Sequence, residues 1–172
     1  MDKIDFIDVK PSAKATISYP SGVEVDLGKE LTPTQVKDQP TVTWQADAGS
    51  LYTLLLLNPA PPVREELKSK ELLHWAVINI PGNKVADGQV LAEYVGSAAP
   101  EGLGLFRYVF LVFKQTEKIN TDELLPKGVR DARRVIKTRD YIAKYNLGAP
   151  VAANFFEAQY DDYVPILQAQ LK

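Results

Sequence analysis

His74 is the only histidine in the chain, and there is no cysteine. An imidazole can donate or accept a hydrogen bond, move a proton near neutral pH or bind a metal. Nucleophilic and metal catalysis usually need a further such group beside it. Without cysteine there is no disulfide, zinc ribbon or thiol nucleophile, and no carboxylate spacing around His74 supports a zinc site. A protein that is not an enzyme, with no metal and no cofactor, is expected. His74 closes the proline-dense stretch "NPAPPVREELKSKELLH" from Asn58 and opens an alternating apolar run. A buried, hydrogen-bonded core histidine fits that place, and so does a ligand-binding histidine beside a loop at a strand end.

Other candidates are weaker. Gly102-x-Gly104 precedes a strand-like run and lacks the third glycine and strand-to-helix context of a dinucleotide site, so it reads as a turn before Arg107. Arg130, Arg133, Arg134, Lys137, Arg139 and Lys144 make one helical segment basic. They could meet an acidic partner, but in a chain of net charge -2 a solvated helix face is the simpler reading. Glu65-Glu66 and Asp161-Asp162 read as solvated or helix-capping pairs.

The elements that must position His74 are mostly strands. Ala15–Tyr19 and Val23–Leu27 alternate around the turn Pro20-Ser21-Gly22 and predict a hairpin. Thr41–Gln45 alternates, and Leu51–Leu57 is apolar almost throughout, as a strand buried on both faces would be. In His74–Ile80, a period of two places His74, Ala76, Ile78 and Ile80 on one face; Phe106, Tyr108, Phe110 and Val112 share another. Helical spacing over Arg130–Asn146 ends near Gly148 and Pro150. A last strand is expected in Val151–Tyr160, and Asp161–Pro165 opens a short terminal helix. Many strands followed by one or two late helices predict an antiparallel β-sandwich with helices at one end.

At 172 residues, 45% hydrophobic and 24% charged, the chain suits one domain spanning 1–172 with a single good core. No positive field argues for nucleic acid or an anionic membrane, and no apolar run approaches a membrane span of roughly 20 residues. The acidic start Met1-Asp2-Lys3-Ile4-Asp5 lacks the apolar core of a signal peptide. A cytoplasmic, soluble monomer is therefore expected.

Four stretches carry a resemblance. They are "YPSGVEVDLGKELTPTQVKDQPTVTW" from Tyr19, the stretch from Asn58 to Ile80, "EYVGSAAPEGLGLFRYVFLVFKQ" from Glu93 and "APVAANFFEAQYDDYVP" from Ala149. In this order they resemble the phosphatidylethanolamine-binding protein family, which includes the Raf kinase inhibitor proteins and the plant flowering-time regulators. The resemblance covers nearly the whole chain. It implies a Greek-key β-sandwich with C-terminal helices and a shallow pocket for a phosphate-bearing head group or similar small anion.

It also implies a ligand site at Asn58, Pro61, Pro62, His74, Ala98, Ala99, Phe106 and Tyr108. The family's Asp-Pro-Asp-x-Pro loop reads Asn58-Pro59-Ala60-Pro61-Pro62, so both aspartates are gone. A cis peptide before the loop's second proline corresponds to Pro61-Pro62. The family's histidine pair reads Leu73-His74, after Leu72 in place of tryptophan. Its Gly-Ser-Gly-Pro-Pro segment reads Gly96-Ser97-Ala98-Ala99-Pro100. Its second histidine is Phe106, while Arg107 and Tyr108 remain, and a tyrosine of the last helix is Gln168. Phe106 removes a donor, and each lost charge-assisted hydrogen bond costs on the order of 1.5–3 kcal/mol, enough to weaken an anion site roughly ten- to a hundred-fold. Asn58 removes a negative charge but also a charged partner for a protonated His74.

The resemblance therefore implies a binding protein for a small phosphate-bearing or apolar ligand, a phospholipid head group among them, with the anion site weakened. The alternative is a regulator of a protein kinase or protease, acting through the site rim (63–70 and 98–103) or the basic helix.

Overall fold

The computed structural model describes residues 11, 13–59, 71–129, 133 and 138–171. Two antiparallel sheets face each other. The smaller pairs β1 (Thr16–Ser18) with β2 (Thr41–Thr43). The larger contains β3 (Leu51–Asn58), β4 (Leu72–Pro81), β5 (Gln89–Ala92), β6 (Phe106–Lys114) and β7 (Ala152–Ala158), in the order β5-β4-β3-β6-β7. Strands β3, β4 and β5 neighbour one another in sequence order, and β6 returns by a long connection to lie beside β3. That is a Greek key, and the expected antiparallel Greek-key sandwich with short C-terminal helices is borne out. The helices are α1 (Thr138–Lys144) and α2 (Val164–Ala169).

The large sheet is covered on both faces, which explains why β3 reads as a continuous apolar run. Leu54, Leu56, Phe110 and Val112 face the small sheet with Ile17, Val42 and Trp44. Leu55, Leu57, Val109, Leu111 and Phe113 face the other way, under Tyr141 of α1 and the nearby Leu147. Each side chain of this size contributes about 1.5–3 kcal/mol when fully buried. The shared face of Phe106, Tyr108, Phe110 and Val112 is as the alternation predicts.

Strand β4 departs from its expected pattern. Leu56 pairs with Trp75 and Leu57 with Leu73, so His74 is an extra residue, a β-bulge. A second irregularity falls between Ile80 and Val77, where Asn79 has φ +55°. Each bulge flips the face of the strand residues beyond it. Trp75, Val77 and Ile80 consequently enter the core between the sheets, whereas Leu73, Ala76 and Ile78 enter the core under α1. The expected common face of His74, Ala76, Ile78 and Ile80 is therefore corrected.

The expected first hairpin also changes. Tyr19 and Val25 hydrogen-bond across the turn to Val23 and Ile17, but Val23–Leu27 yields only one bridge, Ser18 to Glu24. The chain twists away at Leu27 and Gly28, with φ +43° and +101°, and β1 takes β2 as its partner. The diverted segment runs along β7: Gly28 and Leu31 donate to the carbonyls of Phe155 and Glu157. It covers an edge that would otherwise expose unpaired backbone groups.

Of the helix expected over 130–146, residues 133 and 138–146 are described, and α1 ends at Lys144 before a turn at Tyr145 and Asn146. Among the described residues, no helix is long and apolar enough to cross a membrane.

Candidate functional site

One end of the large sheet collects most of the expected site. Asn58 ends β3, His74 lies near the start of β4, and Phe106 and Tyr108 begin β6. The segment Val95–Ala99, which comes after β5, crosses this end. Pro61 and Pro62, and with them the expected cis bond, lie outside the described residues.

The bulge presents His74 to two partners. Its Nδ1 lies 2.9 Å from the carbonyl oxygen of Val95, and the Val95 amide donates back to the His74 carbonyl at 2.8 Å. The ring meets Tyr108 edge to face, with centroids 5.2 Å apart. Tyr108 in turn stacks on Phe156 at 5.1 Å. A carbonyl only accepts, so Nδ1 carries the proton. His74 Nε2 is buried and has no hydrogen-bond partner among the described residues.

Burial pulls the His74 pKa down to about 4. The Arg133 charge pulls the same way, while the Val95 and Gly96 backbone pushes back. At neutral pH the ring is therefore uncharged. Burial holds the Tyr108 hydroxyl well above its ordinary value, against hydrogen bonds with the Ala98 backbone and the Asn58 side chain. Tyr108 is thus a neutral phenol tied to two other site residues.

Segment 95–99 is pinned at Val95 by His74 and at Ala98 by Tyr108. Gly96 fits because a Cβ there would come within 2.8 Å of the Val36 carbonyl oxygen. Between the pins, Ser97 is buried, and its Oγ has no hydrogen-bond partner among the described residues. Ala99 and Phe106 are buried and apolar. Arg107 points outward, 3.6 Å from Glu157 and over the ring of Phe155.

Sequence reasoning missed Arg133. It was expected on a solvated basic face, yet it is 1% exposed. Its guanidinium donates to the carbonyls of Leu73, His74, Glu93, Leu125, Pro126 and Val129 at 2.7–3.3 Å. Burial lowers its pKa to about 10, opposed by the nearby Glu93 charge, so it stays protonated at neutral pH. A sequence signal existed: the positions three and four residues away hold Val129, Arg130, Ile136 and Lys137, so no acid pairs with it along the helix. Arg130, Arg134 and Lys137 lie outside the described residues, while Lys144 is exposed and pairs with Glu123 at 3.0 Å.

Known proteins resemble this chain in sequence and fold. The chain is 36% identical over 168 residues to putative odorant-binding protein A5 of Drosophila melanogaster, covering 97% of this chain and 80% of the relative. It is 39% identical over 150 residues to the 26 kDa secreted antigen of Toxocara canis, covering 87% of this chain but only 57% of the antigen. Among solved structures, the solution structure of CG7054 is 44% identical, with TM-score 0.79 over 96% of this chain and 94% of that one. Carboxypeptidase Y inhibitor, solved in complex with its cognate proteinase, shares the fold at 23% identity and TM-score 0.70, covering 88% and 85%.

The secreted antigen corrects the expectation of a cytoplasmic protein: a relative this similar is named as secreted, which points away from the cytoplasm. The family description phosphatidylethanolamine-binding protein matches residues 21–156. With two relatives above 30% identity over most of its length, the chain belongs to the phosphatidylethanolamine-binding protein family.

Proposed function

We propose that the chain is a single-domain, non-enzymatic binding protein that holds a small ligand at the sheet end formed by Asn58, His74, Ala98, Ala99, Phe106 and Tyr108, with Ser97 added to that set. The observation that carries this reading is the buried His74 Nε2, which has no hydrogen-bond partner among the described residues. A buried polar atom left unpaired costs about 1–3 kcal/mol. The His74 ring meets the hydrogen-bonded phenol Tyr108, and Ser97 Oγ, on the segment that His74 bonds at Val95, is likewise buried with no partner among the described residues. A constellation of few polar groups in an apolar setting suits a small-molecule site. Family membership supports binding, and so does the relative named as a putative odorant-binding protein. A lone neutral histidine without an adjacent nucleophile gives no support to catalysis.

Backbone-amide NMR tests the reading, with phosphoethanolamine and phenol titrated separately. Saturable shifts clustered at Asn58, His74, Val95–Ala99 and Tyr108 with either compound support it. Silence with both at millimolar concentration would favour the second reading, a regulator that binds a protein. That reading draws on the structural neighbour named carboxypeptidase Y inhibitor and on Leu105, 45% exposed beside Phe106. A partner held at this rim would bind with little salt dependence, because apolar contact is not screened.

A further inference from the structure

The chemistry of His74 restricts what the site can recognise. Nδ1 is committed as a donor to the Val95 carbonyl. Among the described residues no carboxylate hydrogen-bonds to the ring, and the charged group that reaches its backbone is the Arg133 guanidinium, 3.3 Å from the His74 carbonyl oxygen. A second proton on the ring would therefore be a buried cation near another cation. In the neutral ring Nε2 bears a lone pair, so it can only accept. The hydroxyl of Tyr108, whose ring packs edge to face on His74, is already engaged with Asn58 and Ala98.

We propose that the His74 site recognises an uncharged hydroxyl group, with Nε2 accepting its proton, so that its ligand is a neutral alcohol or phenol and not a phosphate dianion. This rests on the small-ligand reading above and specifies its ligand class. A hydroxyl suits this acceptor: it donates one hydrogen bond to Nε2 and keeps lone pairs free to accept from any O–H or N–H donor nearby. A phosphate dianion offers only acceptors. It would face the Nε2 lone pair unless it brought a proton with it, and Phe106 supplies no donor in compensation. Nε2 is screened from bulk solvent, so its hydrogen bond is not already made to bulk water and a matching donor gains accordingly.

Because the chain has one histidine, protein labelled with nitrogen-15 in histidine reports this ring alone. Spectra of the free protein at pH 7 should show a bare Nε2 and a protonated Nδ1. Phenol should then shift Nε2 in the direction of hydrogen-bond acceptance and bind about ten-fold more tightly than anisole, which replaces the donor by a methyl ether; ten-fold is about 1.4 kcal/mol. A proton on Nε2 in the free protein would overturn the inference. So would equal affinities for phenol and anisole, or tighter binding of inorganic phosphate at the same residues; both would leave the small-ligand reading standing. If phenol, anisole and inorganic phosphate all leave the site unshifted, the small-ligand reading fails, and the inference fails with it.

Discussion

His74 is buried, and its protonation is linked to folding. Its folded pKa, about 4, lies below the ordinary 6.5. The unfolded chain therefore binds the proton first as pH falls. The stability that the neutral ring contributes is complete above pH 6.5 and is lost progressively down to about pH 4. At about 1.4 kcal/mol per pH unit, the loss between pH 6.5 and 5 is about 2 kcal/mol. Urea unfolding at the two pH values should show that slope in the native protein, and His74→Gln should remove it. A second prediction concerns the neighbouring position. Phe106→His restores a donor near Tyr108 and should tighten phosphoethanolamine binding roughly ten-fold or more, in line with one charge-assisted hydrogen bond. Calorimetric titration of both proteins checks it, and unchanged affinity would mean that position 106 does not face the ligand.

The elements hold His74 through backbone more than through side chains. The bulge in β4 turns its ring toward Tyr108, and Arg133 fastens the bulge carbonyls to the segments after β5 and before α1. Replacing this guanidinium by Met should leave six carbonyls without that donor. A loss of about 3 kcal/mol or more is expected, since each unsatisfied buried group is costly. The same change removes a cation that depresses the His74 pKa, so the histidine should titrate closer to 6.5. Arg133→Lys should recover the His74 titration better than the stability, because an ammonium keeps the charge but cannot span the fork of acceptors. Chemical denaturation and a histidine NMR titration separate the two effects. Neither device was fully legible in the sequence. Alternation in β6 and the unbroken apolar run of β3 report local periods, and both elements formed as expected. A bulge depends on the register of the neighbouring strand, so a period of two misassigned the face of His74. Arg133 looked like one cation of a solvated stripe, because its partners are main-chain oxygens that no residue type announces. Asn58, Phe106 and Tyr108 were expected beside His74 through the family resemblance, and the fold brings the four to one sheet end. Ser97 carried no signal of its own.

Over the whole molecule, the ends of the chain close the sandwich. Asn154, in β7, is buried and satisfied four ways. Its amide nitrogen donates to the carbonyls of Ala15 and Val25, and its oxygen accepts from the amides of Leu27 and Phe155. Three of those partners lie more than 120 residues earlier in the chain. The segment diverted from the expected hairpin is therefore held by a strand made near the end of the sequence, and pairing over such separation is slow to form. Exposed ion pairs such as Lys14–Asp26 and Lys114–Asp47 cannot substitute for it, as each is worth about 0–1 kcal/mol. Asn154→Ala should cost about 2–4 kcal/mol, because it leaves buried carbonyls and an amide unpaired at once. Hydrogen exchange should register the loss unevenly. The Leu27 and Val25 amides should lose protection well before those at the centre of β3 and β6, which remain paired on both sides within the large sheet. Uniform loss of protection would instead mean that the edge and the sheet centre unfold as one unit, and that Asn154 holds the whole sandwich, not its edge.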